Sequence, residues 1–120
     1  MAEPAASSGN ASGPNSAERR ASVRYYFSND PARQPSATLT ENRWMARVRD
    51  ISATGVGLLC DRAFDGGRLL RIELQAAEAK AVLPLEACVV RSVKQAGGDW
   101  LVGAAFIEKL TEEQLRGLLG

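Results

Sequence analysis

The chain has 120 residues, and its 15 basic and 14 acidic side chains leave a net charge of only +1. This balance argues against a coat for nucleic acid and against a polybasic membrane anchor. The chain has no histidine, which removes the usual zinc ligand and the usual general base near neutral pH. Cys60 and Cys88 each sit alone in an apolar run and are predicted to be small buried hydrophobes. We therefore expect neither an enzyme nor a metal site.

The first 17 residues consist mainly of Ala, Ser, Gly, Asn and Pro, with Glu3 as the one charged side chain. Such a segment buries too little apolar surface to offset its ordering entropy, so residues 1–17 are predicted to be a disordered tail. The remaining residues, 18–120, suit one domain. The N-terminus lacks the pattern of a secretory leader, and no run approaches the ~20 apolar residues of a membrane span. We expect a cytoplasmic protein without membrane insertion.

Short β-rich runs bounded by turn residues begin after the tail. Val23–Phe27 is the first, and Ser28–Glu41, which contains two Asn or Asp residues and two prolines, is predicted to be an extended loop that affects access to the site. Asn42–Ile51 alternates like a half-buried strand, with one face formed by Trp44, Ala46 and Val48. A hairpin then leads into Val56–Cys60, and Gly55 is expected to adopt a positive φ in its turn.

The second half continues the same pattern. A Gly-Gly turn precedes a strand over Arg68–Leu74, and Lys80–Val93 is a core strand, in one or two segments, with Pro84 at a bulge, edge or bend. Another Gly-Gly turn leads into Trp100–Phe106. Thr111-Glu112-Glu113-Gln114 is a capping-box pattern, and a short C-terminal helix should pack the leucines that follow it, Leu115, Leu118 and Leu119. About six strands indicate a small sandwich or barrel.

Two short motifs stand out. Arg20 and Arg24 lie four apart, so their side chains can close on one anionic ligand. Asp50, Ser52 and Gly55 form a D-x-S-x-x-G pattern at the end of the second predicted strand. Taken singly, the arginine pair is also compatible with ordinary surface charge, and the second pattern with ordinary turn chemistry.

The two motifs together, in an all-β chain with a terminal helix, resemble the PilZ domain family over about residues 18–119. Both family signatures, R-x-x-x-R and D/N-x-S-x-x-G, are intact, and the run Trp100 to Phe106 looks like the closing strand of the family. The resemblance implies a six-stranded antiparallel β-barrel with a short C-terminal α-helix. It also implies that the ligand is the bacterial second messenger cyclic di-GMP and that no cofactor is required.

The residue types suit this implied ligand. Arg20 and Arg24 can fork onto guanine O6 and N7 or neutralise phosphate. Asp50 can accept from guanine N–H groups, Ser52 can donate or accept, and Gly55 allows close approach of the backbone.

Arg19 precedes the pair, at a position that the resemblance links to the number of bound ligands. An arginine there favours a stacked pair of ligands over one, since a third guanidinium can stack on or pair with the bases. The alternative is that Arg19 merely meets solvent or Glu18.

The leading hypothesis is a non-enzymatic receptor, monomeric or dimerising with ligand, whose arginine segment closes over cyclic di-GMP and signals to an unidentified downstream protein. The alternative is a nucleotide-independent PilZ-like adaptor for protein interactions. A binder of single-stranded nucleic acid ranks lower, because such proteins need aromatic platforms along a basic groove.

Overall fold

Strands are the main secondary structure of the described residues. The computed structural model describes residues 23–28, 30 and 32–119, so the predicted tail and the predicted ligand contacts of Arg19 and Arg20 lie outside the described residues. In chain order the elements are β1 Tyr25–Tyr26, β2 Ser36–Leu39, β3 Trp44–Ile51, β4 Gly55–Cys60, β5 Leu69–Gln75, β6 Leu83–Lys94, β7 Trp100–Phe106 and α1 Glu112–Leu119.

The strands form one antiparallel sheet that closes on itself. Their order is β1-β3-β2-β5-β6-β7-β4, and β4 pairs back with β3, so β2 to β7 make a six-stranded barrel. The extra strand β1 pairs with the end of β3, with Tyr25 opposite Ile51 and Tyr26 opposite Asp50. Closure leaves the barrel strands without exposed edges. The predicted antiparallel barrel with a C-terminal helix is confirmed.

Alternate residues of the barrel strands fill the interior, as the period of two requires. Val48, Leu58, Ile72 and Val102 are fully or almost fully buried there. Leu118 of α1 is buried with the core. The helix begins with the predicted capping box: the Thr111 amide donates to Gln114 Oε1 at 2.9 Å, and the Gln114 amide donates to Thr111 Oγ1 at 3.0 Å.

Strand β2 corrects the predicted loop over residues 28–41. It pairs with both β3 and β5, and its inward residues Ala37 and Leu39 are buried. Two apolar positions beside a proline-rich stretch give too short a pattern to be recognised. The first predicted strand, Val23–Phe27, contains only the two residues of β1, so the six barrel strands are not the six that the pattern suggested.

Strand β6 is one continuous strand rather than two segments. Pro84 is its second residue and lies opposite Glu73, and the irregularity in pairing falls further along, between Val89 and Arg91. The two predicted Gly-Gly turns each contain a glycine with positive φ, Gly67 at 88° and Gly98 at 97°.

Candidate ligand-binding site

A β-bulge in β3 turns a carboxylate to the outside of the barrel. Val48 pairs with Leu58, but Asp50 pairs with Gly57, so Arg49 is the extra residue between them. Before the bulge Val48 faces the core, and after it Ile51 does. Asp50 is therefore on the outer face, although alternation from Val48 would have turned it inward.

Two guanidinium groups cover the Asp50 carboxylate. Asp50 is only 2% exposed, and it accepts from Arg24 Nη1 and from Arg49 Nε, the latter at 2.7 Å. Arg24 Nη2 also reaches Ser52 Oγ at 3.5 Å. Both arginine side chains remain more than a third exposed. The buried negative charge is thus paired, while the remaining N–H groups of the two guanidiniums face the surface.

The predicted D-x-S-x-x-G element forms a tight turn around the Ser52 hydroxyl. Ser52 Oγ accepts from the amides of Thr54 and Gly55, each at 3.2 Å, and the Ser52 amide donates to the Gly55 carbonyl at 2.9 Å. Ser52 is fully buried. Its hydroxyl therefore holds the turn that follows Asp50, in addition to its contact with Arg24.

Gly55 is required for a different reason from the one predicted. The positive φ expected of it is wrong, because the positive-φ glycines among the described residues are Gly67 and Gly98. A Cβ at Gly55 would instead lie 2.7 Å from the Ala104 carbonyl oxygen of β7. The glycine therefore allows close approach of two strands beside the site.

A row of residues crosses four strands on the outer face and forms the floor of the site. Asp50 lies opposite Gly57, Gly57 opposite Gly103, and Gly103 opposite Arg91. We call these four residues the glycine row. A Cβ at Gly57 would collide with the Asp50 carboxylate, with Cγ and Oδ1 each at 2.9 Å, whereas a Cβ at Gly103 would meet nothing within 4 Å. One glycine makes room for the carboxylate, and the other leaves open surface.

The glycine row is the floor of a cleft of about 540 Å³. One wall carries Arg24, Arg49 and Tyr26, and the Arg49 guanidinium lies 5.5 Å from the Tyr26 ring centroid. The other wall comes from β6 and β7 and includes Val90, Val93 and Leu101. The cleft combines cationic groups, one buried carboxylate and an exposed apolar surface.

Four of the six predicted site residues come together here: Arg24, Asp50, Ser52 and Gly55. Sequence reasoning missed Arg49, which looked like one more arginine on the exposed face of a strand, and it missed Gly57, Gly103 and Arg91. Glycines inside two strands were the available signal, since a strand glycine often marks close approach of another group.

The structure also shows where Trp44 and the two cysteines lie. Trp44 packs on Phe64 with ring centroids 5.8 Å apart, and the Arg62 guanidinium lies 3.6 Å from the Trp44 ring centroid. Trp44 therefore belongs to a cluster outside the cleft.

Cys60 and Cys88 are free, and Cys60 is buried while Cys88 is half-buried. Burial raises the pKa of the Cys60 thiol to about 11, and the nearby Asp61 carboxylate adds to the shift.

In the described part of the chain, His, Cys, Asp and Glu side chains do not gather in groups of three or more that could hold a metal ion. No helix within the same residues is long and apolar enough to cross a bilayer.

The family model for the PilZ domain matches residues 18–120. The chain belongs to the PilZ domain family. PilZ domains are known as binding domains rather than enzymes. No curated protein matches the sequence.

Two solved structures are among those that match this fold. The Bacillus subtilis inhibitor of motility, MotI/DgrA, matches at 20% identity with a TM-score of 0.63, over 83% of this chain and 47% of that protein. The chain thus spans about half the length of MotI. The PilZ domain of YcgR from Escherichia coli, solved with cyclic di-GMP, matches at 19% identity with a TM-score of 0.56, over 83% of this chain and 86% of that domain. At these low identities, the two TM-scores show a common fold and nothing further.

Proposed function

We propose that this PilZ protein is a bacterial, cytoplasmic receptor for cyclic di-GMP and that it has no catalytic activity of its own. The observation that carries the proposal is the buried Asp50 carboxylate, held by Arg24 and Arg49 at one end of an open cleft. An acceptor beside two guanidiniums is complementary to a guanine, which presents N–H donors on one edge and O6 and N7 acceptors on another. The same guanidiniums also attract phosphodiesters.

Arg24 links the ligand to a conformational signal. It lies one residue before β1, a strand of only two residues that pairs with the end of β3. A ligand that competes for the Arg24 guanidinium changes the balance of contacts that holds this segment on the barrel. The segment then closes over the ligand together with Arg20, and an unidentified downstream protein recognises the changed surface.

In this proposal Arg19 supplies a third guanidinium to the ligand. It stacks on or pairs with the bases when two ligands bind as an intercalated pair. The expected stoichiometry is then close to two ligands per chain, whereas one ligand per chain would remove this role from Arg19.

Calorimetric titration with cyclic di-GMP at physiological salt tests the proposal. Arg24→Ala should weaken binding by about 1.5–3 kcal/mol, the usual contribution of a hydrogen bond to a charged group. Arg116→Ala is a matched control, because Arg116 is an exposed arginine of α1 that pairs with Glu112 at 3.2 Å. GMP and GTP serve as competitors. No binding by the wild-type chain would refute the receptor and favour the nucleotide-independent adaptor.

The conformational step has its own test. Trypsin cleaves after arginine, and the signature segment contains Arg19, Arg20 and Arg24. Saturating cyclic di-GMP should slow cleavage at these three sites, while cleavage after Arg116 should be unchanged. Equal cleavage rates with and without ligand would leave a receptor that binds without closing its arginine segment.

A further inference from the structure

We propose that Arg91 recognises the second guanine of the ligand. This inference rests on the proposed function and assigns a specificity-determining residue outside both family signatures. Asp50 and its arginines take the first guanine at one end of the glycine row, and Arg91 takes the other guanine at the opposite end.

Arg91 is placed on the cleft by a second bulge. Val89 pairs with Ala104, but Arg91 pairs with Gly103, so Val90 is the extra residue in β6. Ser92 then faces the barrel, where its hydroxyl donates to the Phe64 carbonyl at 2.8 Å. The extra residue shifts the alternation of side chains along β6 and so places Arg91 on the outer face, directly opposite Gly103.

The Arg91 guanidinium is available. It is exposed, and across the described residues it makes no side-chain hydrogen bond or ion pair. By contrast, Arg24 and Arg49 in the same cleft are both bound to Asp50. A free guanidinium in a cleft retains its full set of donors for a ligand.

The distance between Asp50 and Arg91 suits a ligand with two bases. Asp50 and Arg91 are separated by three strand spacings, or about 14 Å along the sheet at the usual spacing. A nucleotide with a single base held at Asp50 lacks a base at the Arg91 end. A cyclic dinucleotide has one for each end.

The surface beside Arg91 favours a base rather than a phosphate. Gly103 leaves the floor open, and the neighbouring Val90 and Val93 side chains are 64% and 43% exposed. Leu101 lies opposite Val93 and lines the same cleft. Exposed apolar surface is stabilised by contact with the face of a base, whereas a charged phosphodiester gains nothing from it.

The recognition chemistry discriminates between purines. Guanine offers two acceptors, O6 and N7, to the fork of an arginine, whereas adenine replaces O6 with an amino donor. Arg91 therefore favours guanine over adenine at this end. A lysine in its place offers a point charge without the fork, so it should not restore the preference.

The test compares cyclic di-GMP with the hybrid cyclic GMP–AMP on the wild-type chain and on Arg91→Ala, Arg91→Lys and Arg116→Ala. The wild type should bind cyclic di-GMP about ten- to hundredfold more tightly than the hybrid, the range for one bidentate pair. Both Arg91 variants should bind the two ligands about equally. Hybrid binding should be nearly unchanged, because its one guanine takes the Asp50 end. Arg116→Ala should behave as the wild type.

Thermal unfolding of each variant would show that its barrel is intact. Three results would then overturn the inference. An equal loss of affinity for both ligands in Arg91→Ala would indicate a phosphate contact. An unchanged affinity in Arg91→Ala, together with a loss in Arg24→Ala, would remove Arg91 from the site and leave the receptor standing. Failure of the wild type to bind cyclic di-GMP would reject both proposals.

Discussion

Replacing Gly57 with alanine should destabilise the barrel through a side chain on the neighbouring strand. The added Cβ would collide with the Asp50 carboxylate, at 2.9 Å from both Cγ and Oδ1. Asp50 cannot give way easily, because it is buried and bound to Arg24 and Arg49. The change should therefore act through Asp50 rather than through the backbone of β4.

The expected magnitude combines two effects. Overpacking at a closely packed position costs about 1–3 kcal/mol. Displacing the carboxylate also weakens two hydrogen bonds between charged groups, each of which contributes about 1.5–3 kcal/mol when fully buried. Solvent reduces this second contribution, because Arg24 and Arg49 are 37% and 36% exposed and can be hydrated. We expect a loss of about 2–4 kcal/mol in the free energy of unfolding.

Urea denaturation measures this loss. For an m-value of about 1.5 kcal/mol/M, the midpoint should fall by roughly 1.3–2.7 M. Gly103→Ala is the matched control, because this glycine is paired with Gly57 but has open space around the position of its Cβ. Alanine is otherwise preferred to glycine by about 0.5–1 kcal/mol within a strand, so the control should be neutral or slightly stabilising.

A double-mutant cycle then isolates the carboxylate. In an Asp50→Ala background, Gly57→Ala should cost much less than in the wild type, because the group with which its Cβ collides is gone. An unchanged cost in that background, or equal destabilisation by Gly57→Ala and Gly103→Ala, would refute the reasoning.

The turn and the cysteines give three more predictions. Ser52→Ala should lower the free energy of unfolding by about 1–3 kcal/mol in chemical denaturation, because two amides lose their acceptor; a loss below ~0.5 kcal/mol would contradict this. Under native conditions iodoacetamide should modify Cys88 well before Cys60, as mass spectrometry would show; faster modification of Cys60 would count against its burial. Between pH 9 and 11 the folded Cys60 thiol keeps a proton that the unfolded chain releases, so stability should fall with rising pH, and less steeply in Cys60→Ala.

Period-two alternation and turn chemistry predicted most of the barrel. Strands β3, β5 and β7 have apolar residues at every second position, and two Gly-Gly turns and a capping box mark where elements end or begin. Strand β2 was missed because its four residues offer only Ala37 and Leu39 as an inward pattern, and these become informative only once β3 and β5 pair on either side.

The site shows the same division between local and long-range information. Asp50, Ser52 and Gly55 are close in sequence, and Arg24 was associated with them through the family resemblance. The roles of Gly57 and Gly103 depend on pairing across β3, β4 and β7, which no local pattern specifies. The positive φ expected of Gly55 is wrong, because the constraint at this position comes from the Ala104 carbonyl of another strand.

The bulge at Arg49 makes the site depend on residue count as well as residue type. If β3 accommodated Arg49 by regular alternation instead of as an extra residue, the Asp50 carboxylate would point into the apolar interior and Ile51 out to solvent. Substituting Arg49 removes one partner of Asp50 and keeps the bulge, whereas deleting it removes both the partner and the bulge and leaves Asp50 pointing outward. The number of residues in this part of β3, and not only their types, therefore decides which side of the barrel carries the carboxylate.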